Sequence, residues 1–145
     1  MISISLMTLD DLNSISDILQ EEFDDFWTFN ILKSELENKN SKYIIAKEDN
    51  IILGFAGLID TVDQFEITNI VVRKTYRNKG IGTLLLDNLI SIAKNNKKDK
   101  IYLEVNEKNL PAISIYEKKG FKKCGLRPKY YNNTDDAILM ILILK

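Results

Sequence analysis

The sequence predicts an α/β fold with a mixed, mostly antiparallel sheet, and three observations carry that prediction. Residues 65–72 are rich in β-branched and aromatic side chains without Gly or Pro, the composition of a strand. A basic, glycine-bearing turn, Arg77-Asn78-Lys79-Gly80-Ile81-Gly82-Thr83, follows it. Beyond the turn Leu84, Leu85, Leu89, Ile92 and Ala93 recur at helical spacing. A further strand at residues 100–106 must then lie parallel to the first through a right-handed crossover. Short turns join residues 43–47, 51–59 and 65–72, so these three strands are antiparallel. In all, about seven strands and about four helices are expected, in one domain over residues 1–145.

The elements follow in order. Residues 3–6 form a first strand, and Thr8 or Asp10 caps a helix running to about Glu22, with Leu12, Ile15, Ile18, Leu19 and Phe23 as its apolar stripe. Phe26-Trp27-Thr28-Phe29 is an aromatic cluster in the connection. Thr28 caps a second helix carrying Ile31, Leu32 and Leu36. Trp27 serves either as core packing or as a wall for substrate. Gly54 and Gly57 interrupt the third strand, as expected where a strand bends or another backbone lies close.

The helix after the basic turn starts near Gly82 and ends near Asn95-Asn96, with Lys94, Lys97 and Lys98 at its negative end. Asn109 is a suitable N-cap for a short helix over residues 110–119, and Pro111 is tolerated in its first turn. Gly120 is placed to end that helix at C′, which would pack Phe121 back on Tyr116. Strands at residues 121–126 and 137–144 close the fold. Between them residues 127–134 read as a polar loop holding Tyr130 and Tyr131, either a connector or a ligand contact.

Composition excludes several classes of function. Cys124 is alone, so no internal disulfide forms and a reducing cytoplasm is expected. The chain has no His, which argues against zinc sites and Ser-His-Asp chemistry; no metal is expected. The opening residues lack the basic and apolar regions of a signal peptide, and the run 137–144 is too short to span a bilayer, so no membrane partner is expected. Nor is a direct nucleic-acid partner. The net charge is −1 but unevenly spread: residues 1–32 hold seven acidic side chains and no Lys or Arg. That segment either is simply solvated or meets a basic ligand, while an anion binds the basic middle.

The turn at residues 77–83 is an anion site in outline. Free N–H groups point out of a first helical turn, the helix dipole favours negative charge there, and glycines let a ligand approach the backbone. No Gly-Lys-Ser/Thr follows at the required spacing, which excludes a Walker loop. Gly80-Ile81-Gly82 lacks the third glycine of a dinucleotide fingerprint. Arg77, Gly80 and Gly82 do resemble the Arg/Gln-x-x-Gly-x-Gly/Ala pyrophosphate loop of the GCN5-related N-acetyltransferases, the GNAT superfamily. The alternative is a tight turn whose glycines serve only the backbone.

Acetyl transfer from a thioester to an amine needs a held donor, an unprotonated amine and a proton for the departing thiolate. Within residues 100–106, Ile101, Leu103 and Val105 alternate with Tyr102, Glu104 and Asn106, so Glu104 shares a face with polar-tipped neighbours. Glu104 is the candidate general base and Tyr116 the candidate general acid. Burial would have to raise a carboxylate from about 4.3, or a water relay the proton, whereas a phenol near 10 is already protonated. The competing readings are a surface carboxylate and a packed helix aromatic. A bulge in the strand ending at Ile70-Val71-Val72 would free backbone groups for the pantetheine amides.

The pattern Glu104-Val105-Asn106, Asn109, Ala112-Ile113, Tyr116-Glu117 and Gly120-Phe121 resembles the bacterial alanine N-acetyltransferases of ribosomal protein S18, within GNAT. The resemblance extends to Asn69-Ile70-Val71-Val72, Tyr76 to Gly82, and Tyr130-Tyr131 with residues 135–140. It implies a GNAT fold whose splayed parallel strand pair binds acetyl-CoA. It further implies Glu104 as base, Tyr116 as acid, and Ile70, Val71, Val72, Arg77, Asn78, Lys79, Gly80, Ile81, Gly82, Thr83 and Asn109 as acetyl-CoA contacts. Trp27, Tyr130 and Tyr131 fall on the substrate side. The implied acceptor is the N-terminal alanine of S18, a basic protein N-terminus that matches the acidic first segment. The sequence departs from that group in having Phe26-Trp27-Thr28 where Pro-Trp-Ser is common, and in a short loop after Tyr131. A lysine or small-amine acetyltransferase and a non-catalytic acyl-CoA sensor are the rival readings.

Overall fold

The computed structural model describes residues 1–23, 28–62, 64–131 and 133–144. Among these, β1 (Ser3–Leu6), β2 (Ser41–Glu48), β3 (Ile51–Asp60), β4 (Gln64–Val72), β5 (Lys100–Asn106), β6 (Lys122–Tyr131) and β7 (Asp135–Ile143) form one sheet in the order β1-β2-β3-β4-β5-β7-β6. Every neighbouring pair is antiparallel except β4 and β5. Those two are joined by α3 (Ile81–Asn95), because parallel strands need a crossover longer than a hairpin. The helices α1 (Leu9–Ser14), α2 (Phe29–Glu37) and α4 (Leu110–Lys118) complete the fold, with a π-helical turn at Leu19–Phe23 and a 3₁₀ turn at Lys74–Tyr76.

Each face of the sheet carries its own core. On one, Leu85, Leu86, Leu89 and Ala93 of α3 and Ile113 of α4 pack against Phe65, Ile67, Ile101, Leu103 and Val105. On the other, Leu12, Leu19, Phe23 and Leu32 meet Tyr43, Ile45, Phe55 and Val71. Leu85 is fully buried at the centre of the first core. Leu85→Ala is expected to lower stability by about 2–5 kcal/mol in a urea titration, since the cavity left behind adds to the lost transfer energy.

β4 changes face midway, and this shapes the site. Gly57 pairs with Asn69 but Leu58 pairs with Ile67, so Thr68 is an extra residue and the strand bulges there. Before the bulge Phe65 and Ile67 face α3; after it Val71 points to the opposite core, while Ile70 and Val72 join the α3 side. The two glycines of β3 sit where the sequence expects close approach. A Cβ on Gly54 would stand 2.6 Å from the Val71 carbonyl oxygen, and one on Gly57 2.3 Å from Tyr43 Cζ.

Two expectations are corrected. The first helix does not run to Glu22: it ends at Ser14, with Ile15 out of helical geometry. The hydroxyls of Ser14 and Ser16 donate to the Asp11 and Asn13 carbonyls at 2.7 and 3.0 Å, taking over acceptors that would continue the helix. Its N-cap is Thr8, in a reciprocal capping box with Asp11. The polar segment from Arg127 is not a loop but the continuation of β6 as far as Tyr131. Nine of the ten residues of β6 are exposed, and an edge strand in that setting accepts lysines and Pro128 without cost to a core.

Candidate active site

A cavity of about 440 Å³ opens where β4 and β5 part. Their pairing runs only from Gln64–Lys100 to Ile67–Leu103, and past the bulge the two strands have no register partners in common. Ile70, Val71 and Val72 form one wall, and Arg77, Asn78, Gly80, Ile81, Gly82 and Thr83 the end where α3 begins. Asn109 and Tyr116 stand across from them. Leu86, Pro111, Ala112 and Ile115 complete the lining and were not named as site residues from the sequence; spacing from Tyr116 on one helical face is the signal that would have found Ala112 and Ile115.

The turn has the shape of an anion cradle. Asn78 and Gly80 both have positive φ, 65° and 82°, and no side chain caps the first turn of α3. No atom outside the immediate chain lies within 4 Å of where a Gly80 Cβ would stand, and the nearest to one on Gly82 is Val72 Cγ2 at 3.7 Å. The fold itself therefore does not require a bare backbone at Gly82, whereas Gly80 answers to its left-handed conformation. Arg77 lines the cavity yet also braces it: Nε donates to the Val72 carbonyl at 3.1 Å and Nη2 to the Phe23 carbonyl at 3.1 Å. Lys79 is outside the lining and lies over the Tyr76 ring at 5.4 Å. Arg73, just upstream of the turn, is paired with both carboxylate oxygens of Glu22, at 2.9 and 3.2 Å.

Asn109 caps α4, its side-chain oxygen accepting from the Ala112 N–H at 3.3 Å. At the other end Gly120 (φ 99°) closes the helix. The Gly120 N–H donates to the Glu117 carbonyl and the Phe121 N–H to that of Tyr116, each at 3.0 Å. Phe121 thereby packs on the Tyr116 ring, centroids 5.7 Å apart. Burial, with a smaller contribution from Tyr131, pushes the Tyr116 phenol up to about 12.

Glu104 does not line this cavity. Its neighbours Leu103 and Val105 face α3, so Glu104 projects from the opposite side of β5, where its Oε1 is 2.8 Å from an Arg127 nitrogen. Tyr131 stands between the two candidates electrostatically: burial first, then the charges of Glu104 and Tyr130, raise its phenol to about 12, and it in turn acts on Tyr116. Tyr130 packs edge-on against Tyr131 at 5.0 Å and lies under the Arg127 guanidinium at 4.8 Å. Glu66 belongs to the same cluster, its carboxyl raised by burial and then by Glu104. Trp27 lies outside the described residues. Glu66 and Arg127 were not identified from sequence, since their proximity to Glu104 depends on which strands neighbour β5.

Three phenols held near 12 have a consequence for stability. Tyr43, Tyr116 and Tyr131 keep their protons in the folded protein, while in the unfolded chain they ionise near 10. Above about pH 10 the unfolded state therefore binds fewer protons, and stability is expected to fall as pH rises from about 10 to about 12. Urea titrations at pH 8, 10 and 11 check this; equal midpoints at all three would contradict it.

Among the described residues no group of His, Cys, Asp and Glu could hold a metal, and no helix is long and apolar enough to cross a membrane. Residues 12–121 match the acetyltransferase (GNAT) family. Over 124 residues the chain is 35% identical to the [ribosomal protein bS18]-alanine N-acetyltransferase of Haemophilus influenzae, covering 81% of this chain and 82% of that protein. The crystal structure of the ribosomal-protein-S18-alanine N-acetyltransferase from Escherichia coli superposes with a TM-score of 0.91 at 28% identity, over 100% of this chain and 95% of that one. A GNAT acetyltransferase from Elizabethkingia anophelis with acetyl-CoA bound shares the fold, with a TM-score of 0.76 at 24% identity over 99% and 98% of the two chains. With its splayed β4–β5 pair, open glycine turn and partly buried helix phenol around one cavity, the chain belongs to the acetyltransferase (GNAT) family of acetyl-CoA-dependent N-acetyltransferases.

Proposed function

We propose that the protein transfers the acetyl group of acetyl-CoA to the N-terminal α-amine of a protein, and that its acceptor is the N-terminal alanine of ribosomal protein S18. The observation that carries this reading is that one cavity joins the uncapped start of α3, the end of β4 that has parted from β5, and Tyr116. Acetyl-CoA supplies an activated thioester. The N–H groups at the start of α3 take its pyrophosphate, and the free edge of Ile70, Val71 and Val72 orients the pantetheine amides. Tyr116, neutral up to about pH 12, protonates the departing thiolate.

Glu104 takes the proton of the amine, directly or through a water, from the side of the sheet that carries Glu66 and Arg127. That task is easier for an α-amine, which is partly neutral near pH 8, than for a lysine side chain, whose deprotonation costs about 3 kcal/mol more. Tyr130 and Tyr131 flank the same side and hold the acceptor.

Mass spectrometry of a basic, alanine-starting peptide incubated with acetyl-CoA tests the acceptor: acetyl on the α-amine supports it, and acetyl on lysine alone rejects it. Gly82→Val tests the cradle. It is expected to fold normally, since a Cβ there meets only Val72 at 3.7 Å, yet to raise the KM for acetyl-CoA at least about tenfold by filling the approach to the backbone. An unchanged KM removes Gly82 from the binding site.

A further inference from the structure

The sheet carries a brace behind the cavity, on the face away from α3. In the strand register Tyr43 pairs with Gly57, and Gly57 with Asn69, one line across β2, β3 and β4. The Tyr43 ring lies over Gly57 so closely that a Cβ there would be 2.3 Å from Cζ and 2.6 Å from each Cε. Only across a bare backbone does the phenol reach β4, where its hydroxyl is 3.1 Å from Thr68 Oγ1.

Thr68 is the extra residue of the bulge, and it carries the turn of β4 from one face to the other. Beside it Asn69 is 8% exposed; its carboxamide meets strict hydrogen-bond geometry with none of the described residues, yet lies close enough to the Tyr43 hydroxyl to act on that phenol. Backbone pairing alone does not select a bulge that buries this amide. Losing the extra residue would slip the register beyond it by one, turning Ile70 and Val72 to the opposite face and Val71 to the α3 side. The bulge must therefore be held in place, and the Tyr43–Thr68 contact is a polar tie placed to hold it.

We propose that Tyr43 is a positioning residue for the acyl-CoA cavity: its hydroxyl, reaching over Gly57 to Thr68, fixes the β4 bulge and thereby the set of Ile70, Val71 and Val72. The proposal rests on the reading of that cavity as the acetyl-CoA site.

Tyr43→Phe, Thr68→Val and the double variant test it, with the KM for acetyl-CoA, the Kd for CoA by calorimetry and the Tm measured for each. Each single variant is expected to raise KM and Kd about fivefold, as for loss of one hydrogen bond, with kcat within about twofold of wild type. The double variant should be no worse than either single one, because both remove the same tie. Thr68→Val keeps the test sound should Tyr43→Phe fold poorly. Variants whose Tm falls while KM and Kd stay at wild-type values, or a double variant equal to the product of the singles, overturn the proposal. A wild-type protein that binds no CoA overturns the cavity reading and this proposal with it; normal CoA binding with unmoved variants overturns this one alone.

Discussion

Replacing Glu104 by Gln is expected to lower kcat on a basic, alanine-starting peptide by about 10²–10³-fold while leaving the Kd for CoA unchanged. The two quantities separate because Glu104 does not line the cavity where CoA is proposed to bind; it faces the opposite side of β5. Glutamine keeps the size and the hydrogen-bonding oxygen of the side chain but cannot take a proton. The substitution also breaks the 2.8 Å ion pair with Arg127, so Arg127→Gln serves as the control. Arg127 is half exposed, and losing its pair alone should change stability little. Stopped assays of acetylated peptide with calorimetry of CoA give both numbers. Full turnover in Glu104→Gln would show that the proton leaves the amine by another route, and an equal loss in Arg127→Gln would assign the effect to the ion pair instead.

Gly57→Ala is expected to destabilise the fold by about 3 kcal/mol, a large effect for one methyl group. The new Cβ would sit 2.3 Å from Tyr43 Cζ, and the ring has nowhere to retreat: Tyr43 is buried against the Phe55 and Val71 core. Either the phenol is expelled from its place over β3 or β2 is pushed away from its partner. Tyr43→Leu in the same chain should recover much of the loss, because it removes the ring that the methyl group strikes. Urea midpoints of the two single variants and the double one decide the matter. A Gly57→Ala protein of wild-type stability would mean that the ring does not lie across this glycine.

Some elements were legible because their cause is local. The Thr8, Thr28 and Asn109 caps, the αL glycine at Gly120 and the stripe of α3 depend on residues within one or two turns of one another. The Phe121 contact with Tyr116 follows from the same local geometry. The first helix was overextended because its apolar period continues past Ser14, while the serine hydroxyls that end it leave no mark on periodicity. The segment from Arg127 to Tyr131 read as a loop because polar residues and a proline are the usual signs of one. It is a strand only because β7 lies beside it to supply partners.

The residue pattern by itself determined the order of strands and helices and the basic glycine turn between β4 and α3, since these rest on side-chain period, backbone freedom and capping, all short-range. Only the tertiary structure decided that β4 bulges at Thr68, that Glu104 and Tyr116 stand on different sides of the splayed strands, that Tyr131 is coupled electrostatically to both, and that Arg127 rather than an open cleft meets the Glu104 carboxylate. Those facts depend on which strands are neighbours and in what register, and register is set by packing between residues tens of positions apart, which no local pattern records.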